Sequence, residues 1–112
     1  MSLPISQEIR MPYGDIKTLV FQLLEDNNPV SDDLNAQTIT LYIRGDATFT
    51  PIDKDIATES WILDNTLKKF QVVIDTSTYK MVVGSYQAEI EWEDKGASLV
   101  YMNISVYEDI TH

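Results

Sequence analysis

Hydrophobic and polar residues alternate along most of this chain. The clearest stretch is Gly84 to Val106. Tyr86, Ala88, Ile90 and Trp92 fall on one side, and Gln87, Glu89, Glu91 and Glu93 on the other. A strand turns successive side chains to opposite faces, so this segment predicts one apolar and one charged face. Val100, Met102, Ile104 and Val106 form a second apolar row, with Leu99, Tyr101, Asn103, Ser105 and Tyr107 behind it. Both apolar rows must lie on the same side of one sheet. A three-residue loop, Asp94-Lys95-Gly96, meets that condition. It pairs Trp92 with Ser98, Ile90 with Val100, Ala88 with Met102 and Tyr86 with Ile104. It also puts Gly96 at the loop position that requires left-handed backbone.

Other segments repeat the pattern. Ile5 to Met11 predicts an edge strand with Ile9 and Met11 inward, followed by a turn at Pro12-Tyr13-Gly14-Asp15. Thr18 to Leu24 predicts a strand with Leu19, Phe21 and Leu23 on one face. Glu25 to Val30 is a turn cluster by composition, and Leu34 anchors the loop that follows it. Thr38 to Arg44 is a clean alternating strand with Ile39, Leu41 and Ile43 inward and Thr40, Tyr42 and Arg44 outward. Gly45 to Asp55 breaks the pattern and contains Pro51. Ala57 to Leu63 predicts a strand around Trp61, and Lys69 to Ile74 one with Phe70, Val72 and Ile74 inward. Asp75 to Tyr79 suits a single capped helical turn. Recurrent strands, frequent turn signals and no amphipathic helix predict one all-β domain over residues 1–112. The expected fold is an immunoglobulin-like antiparallel β-sandwich of six or seven strands.

Composition narrows the function. The 112 residues are the size of one domain, and the net charge is −10, from 18 acidic and 8 basic residues. That balance argues against nucleic acid or an anionic membrane as partner, since both select basic surfaces. The acids are spread along the chain, so solubility accounts for them more readily than a basic partner does. No apolar run approaches the ~18 residues that span a bilayer. The opening MSLPISQEIR lacks the basic start and apolar core of a secretory signal, so none is expected.

Candidate chemistry is sparse. The sequence has no cysteine and a single histidine, His112. A histidine-dependent triad and thiol catalysis are therefore excluded, and no phosphate-binding glycine motif occurs. Glu89, Glu91 and Glu93 share a strand face, but alternate strand residues stand about 6.5–7 Å apart, too wide for one calcium ion to bind all three. Asp46, Asp53 and Asp55 lack calcium-loop spacing. No cofactor or metal is expected. Tyr86, in the order Gly-x-Tyr-x-Ala, is placed like a tyrosine corner, with Ala88 where a cysteine would stand in an antibody domain. The residues expected to meet a partner are Tyr42, Glu89, Leu99, Tyr101 and Tyr107 on the outer face, where self-association is also a possibility. Trp61 suits the core, an interface or a sugar-stacking platform, in that order.

The order Gly14-Asp15 leading into TLVFQL, then Asp33-Leu34, the strand TITLYIR, Gly84-Ser85-Tyr86 and the closing ISVYEDI carries a resemblance. The chain resembles the N-terminal immunoglobulin-like domain of upper baseplate proteins of tailed phages of Gram-positive bacteria, and related prophage structural proteins. The resemblance spans about Ile5 to Ile110 through short motifs. It implies a non-catalytic virion component, made in the host bacterial cytoplasm, that packs against other phage structural proteins. Family members commonly continue into a fibre or receptor-binding region, which this sequence lacks after its final strand. Assembly or attachment is therefore the expected role rather than receptor binding. Two alternatives stay open: a carbohydrate-binding module of β-sandwich type and, ranked last, a hydrolase using acidic residues.

Overall fold

The computed structural model describes residues 5–108. Its strands are β1 (Ile5–Pro12), β2 (Ile16–Gln22), β3 (Leu24–Glu25), β4 (Asn28–Pro29), β5 (Ile39–Arg44), β6 (Ile52–Asp55), β7 (Ile62–Asp64), β8 (Lys69–Asp75), β9 (Gly84–Trp92) and β10 (Ala97–Tyr107). A five-stranded sheet has the order β1-β10-β9-β5-β6, and a three-stranded sheet the order β2-β8-β7. Their inner rows meet in one core. Ile39, Leu41 and Ile43 of β5, Ile90 of β9 and Ile104 of β10 pack with Phe70, Val72 and Ile74 of β8. This is the expected all-β sandwich, with β5, β9 and β10 in the places of the C, F and G strands and β2, β7 and β8 in those of B, D and E.

Three details differ from the sequence expectation. The two main sheets hold eight strands among the described residues, not six or seven, because β6 lies inside the Gly45–Asp55 stretch. Pro51 immediately before it and two aspartates within it hid the alternation, and both features are tolerated because β6 is an edge strand. Next, β1 runs parallel to β10, while the other strand pairs are antiparallel. Its inward Ile9 and Met11 sit opposite Ile104 and Val106 and are buried, as the alternation required. Finally, the predicted strand around Trp61 shrinks to Ile62–Asp64. The preceding residues form a turn in which the Trp61 N–H donates to the Ile56 carbonyl at 2.8 Å, and Ser60 takes a positive φ of 62°.

The central hairpin corrects the expected loop. Ile90–Val100, Ala88–Met102 and Tyr86–Ile104 pair as expected, but Trp92 pairs with Ala97 rather than Ser98. The loop holds Glu93 to Gly96, with a 3-10 turn over Glu93–Lys95 and Gly96 left-handed at φ 58°. That register alone would set the apolar rows on opposite faces. A bulge between Ser98 and Val100 inserts Leu99 as an extra residue and realigns them.

Local chemistry explains the turns. Asp26 and Asn27 both have positive φ, 52° and 66°, as a two-residue β3–β4 hairpin of the primed type needs. Leu34 is fully buried, and Asn65 Oδ1 accepts its N–H at 2.9 Å. Asp75 caps the turn after β8, accepting the Thr78 N–H at 3.1 Å. The buried Thr76 hydroxyl donates to the Asp15 carbonyl at 2.9 Å and accepts the Gly14 N–H at 2.8 Å, tying this turn to the β1–β2 turn. Hydrogen bonds to Asn65, Thr48 and Thr78 hold Asp33, Asp46 and Asp75, respectively, below the ordinary carboxylate range. Their charged forms favour the fold, so this contribution is present above the ordinary range and is lost as pH falls through their depressed values.

The tyrosine corner is formed. The Tyr86 hydroxyl donates to the Val82 carbonyl at 2.7 Å, and its ring meets Phe49 edge-on at 4.9 Å. Gly45 lies against the same ring. A Cβ there would stand 2.8 Å from Tyr86 Cδ2 and 3.0 Å from the Phe49 Cβ. In denaturant titrations, Tyr86→Phe is expected to cost about 1 kcal/mol by leaving the Val82 carbonyl unpaired. Gly45→Ala should cost about 1–3 kcal/mol by overpacking. Trp61→Ala should cost about 3–5 kcal/mol, as for a large buried aromatic. A neutral outcome at all three positions would contradict this account of the core.

Candidate partner-binding face

The outer side of the five-stranded sheet carries most of the residues singled out from the sequence. Register puts Ser6, Tyr101, Glu89, Tyr42 and Asp53 in one row across five strands. Strands lie about 4.8 Å apart, so the two tyrosines stand on either side of Glu89, roughly 10 Å from one another. They flank the carboxylate rather than stack together. The next row toward the tyrosine corner is Glu8, Asn103, Gln87 and Arg44. In the other direction come Ser98, Glu91, Thr40 and Asp55.

Hydrogen bonds hold this surface. Ser98 Oγ donates to Glu89 Oε1 at 2.5 Å, and Asn103 Nδ2 donates to Glu8 Oε1 at 3.1 Å. The Tyr42 hydroxyl donates to the Glu93 carboxylate. Arg44 lies over the Tyr42 ring at 5.2 Å, donates to the Ile52 carbonyl at 3.2 Å and pairs with Asp53 at 2.9 Å. Both flanks of Tyr42 are therefore fixed, one by an acid and the other by a guanidinium. Tyr101 has no such clamp among the described contacts and is 46% exposed. Glu8, Asp53, Asp55, Glu89, Glu91 and Glu93 make the face acidic, against Arg10 and Arg44.

Two of the expected contact residues do not join this row. Leu99 is the bulge residue, so instead of lying on the outer face beside Tyr101 it is half-buried against the core. Tyr107 is outward, but six residues beyond Tyr101 on β10, at the far end of the strand, with Arg10 over its ring at 5.3 Å. Trp61 is buried in the core, so its indole offers no open face for stacking a sugar. Arg44, Asp53 and Glu93 belong to the face but were not among the expected contact residues, although the alternation already set Arg44 and Glu93 outward. Arg44 was within reach, since it follows Tyr42 by two positions. Asp53 depended on the unseen strand β6, and Glu93 on the true loop.

The loop aspartates do different jobs. Asp46 accepts the Thr48 N–H at 2.9 Å, Asp53 pairs with Arg44, and Asp55 accepts the Ala57 N–H at 3.0 Å. Among the described residues no three His, Cys, Asp or Glu side chains converge as a metal site. Beside the tyrosine corner lies an open groove of about 550 Å³, lined in part by Arg44, Asp46, Ser85, Gln87, Asn103 and Ser105. No family model matches the chain, and no curated protein is significantly similar to it.

The hydrogen bond to Glu93, together with desolvation and the nearby acidic charge, pushes the Tyr42 phenol up to about 12. Burial, with Glu59 and Asp75 nearby, likewise pushes Tyr79 up to about 12. The folded state favours both neutral phenols. This stabilisation is complete below the ordinary phenol range and is lost as pH rises through about 12. Tyrosinate absorbance during alkaline titration should show a late phase, and Tyr42→Phe should remove one proton from it. An unchanged late phase in that variant would mean that the Tyr42–Glu93 bond does not persist in solution.

Proposed function

We propose that this protein is a non-catalytic structural module of a phage or prophage particle. It docks on a neighbouring baseplate or tail protein through the outer face of its five-stranded sheet. The resemblance read from the sequence supports the setting. The observation that carries the docking face is the row Tyr101–Glu89–Tyr42, an exposed tyrosine and a half-buried one on either side of a carboxylate in an ordered acidic field. Tyrosine and arginine are favoured at protein interfaces because each combines contact area with a polar group. Tyr101 is the natural anchor, since it is exposed and unclamped. Glu89, held by Ser98, offers a fixed carboxylate to a basic partner surface.

The proposal is tested by co-sedimentation with tail particles from an induced lysate. The wild-type chain should travel with intact particles. Tyr101→Ala combined with Glu89→Gln should weaken its retention by about tenfold or more, the scale of an interface hot spot. Added salt should weaken it further, because the complementarity is electrostatic. Absence of the wild-type chain from intact particles would overturn the virion assignment. Full retention of the double variant would overturn the choice of face.

A further inference from the structure

The three-stranded sheet leaves one strand edge in an unusual condition. Among the described residues β2 pairs only with β8. The Leu23 N–H donates to the Lys68 carbonyl at 2.9 Å, and the Thr76 N–H donates to the Asp15 carbonyl at 3.2 Å. Both contacts continue the β2–β8 register, so the odd-numbered residues of β2 make the ladder with β8. Ile16, Thr18, Val20 and Gln22 consequently turn their N–H and C=O groups to the open side.

The side chains of β2 are as incompletely covered as its backbone. Every residue from Ile16 to Gln22 is half- or fully exposed. Inward-facing Leu19 and Phe21 stay half-exposed, although their neighbours on β8, Val72 and Phe70, are buried to 0% and 1%. Ile16 and Val20 on the other side are about three-fifths exposed, at 61% and 59%.

The remaining edges are guarded. β6 has four residues, three of them charged, and follows Pro51. β7 has only three residues. β1 carries Glu8 and Arg10 and ends at Pro12. These features discourage the addition of a further strand. β2 has seven residues, no acid, no proline and the single charge of Lys17.

We infer that β2 is a self-association edge, at which two copies of this chain join their three-stranded sheets into one six-stranded sheet. Charge favours a second copy at this edge over any other. Each chain carries −10, yet none of its 18 acidic residues lies between Ile16 and Leu24. Two copies therefore approach here with the least repulsion. The segment is also self-complementary. A two-fold axis at Leu19 sets it against the partner's Leu19, Thr18 against the partner's Val20, and Ile16 against the partner's Gln22. The residues with open backbone groups then meet each other, as antiparallel pairing requires. Leu19 and Phe21 of the two copies share one face, and Lys17 falls opposite the partner's Phe21. One strand pair covers less than the roughly 1,200–2,000 Å² of a standard stable interface, so the dimer should depend on concentration.

Sedimentation velocity over a range of protein and sodium chloride concentrations tests the inference. The dimer fraction should rise with protein and with salt, because salt screens the repulsion between two acidic chains. Val20→Pro removes an open-side N–H while leaving the β8 ladder intact, and should weaken the dimer by about tenfold or more. Val20→Glu, at an exposed position, should do the same by adding charge without altering the backbone. Thermal melts of both variants check that the fold is kept. Three results would each overturn the inference: a monomer under all conditions, a dimer untouched by the glutamate variant, or association that weakens with salt. So would an edge that takes up only an unrelated extended peptide.

Discussion

The pairing of β9 with β10 is the constraint on which the other strands depend. β5 is laid on the free side of β9 and β1 on the free side of β10, so an error in the central register would reach four strands. A one-residue slip exchanges the two faces of a strand. A slip of β9 would drive Glu89 and Glu91 inward and expose Ile90 while Val100 of β10 stayed inward. The Leu99 bulge is therefore more than a local irregularity. The Trp92–Ala97 closure sets one register, and the apolar rows of Tyr86–Ile90 and Val100–Ile104 require another. One additional residue reconciles them, and partial burial of its leucine side chain offsets some of the lost pairing.

The opposite end of the sandwich is held differently. Tyr86 ties the start of β9 to the crossing loop at Val82, and its ring fills the space left by Gly45 against Phe49. The Thr76 hydroxyl joins the β1–β2 turn to the loop after β8. Hydrogen-bonded side chains thus pin the connecting loops at this end in a chain without cysteine.

Much of this was legible because the inward and outward rows differ so strongly in polarity. The strands with full alternation, β5, β8, β9 and β10, appear within a residue or two of their expected limits. So does the tyrosine corner, whose spacing is written in the sequence. What escaped has physical causes. β6 is an edge strand, and edges admit proline and paired charges that erase the period-two signal. A loop of three residues and a loop of four with a bulge deliver the same rows to the same face, so alternation cannot separate them. Trp61 needs no strand to be buried, because a turn also aims a side chain inward. The outer face was half legible: alternation places Tyr42, Glu89 and Tyr101, whereas Arg44–Asp53 and Tyr42–Glu93 arise only once β6 and the loop are in position.

The distribution of charge gives the two sheets different physical characters. The five-stranded sheet exposes acids and tyrosines, each acid held by a neighbour or spaced across strands, and such a surface repels its own copy. The three-stranded sheet exposes Ile16, Val20 and Leu63 and has few charges on its outward strands. Association of a −10 chain with itself is least opposed where this charge is thinnest, and attraction to a basic partner is greatest where it is densest. The proposed self-association uses the edge of one sheet and the proposed docking the outer face of the other, so a copy joined through β2 would still present Tyr101 and Glu89 outward. Salt would act on the two proposals in opposite senses, strengthening the first by screening repulsion and weakening the second by screening attraction.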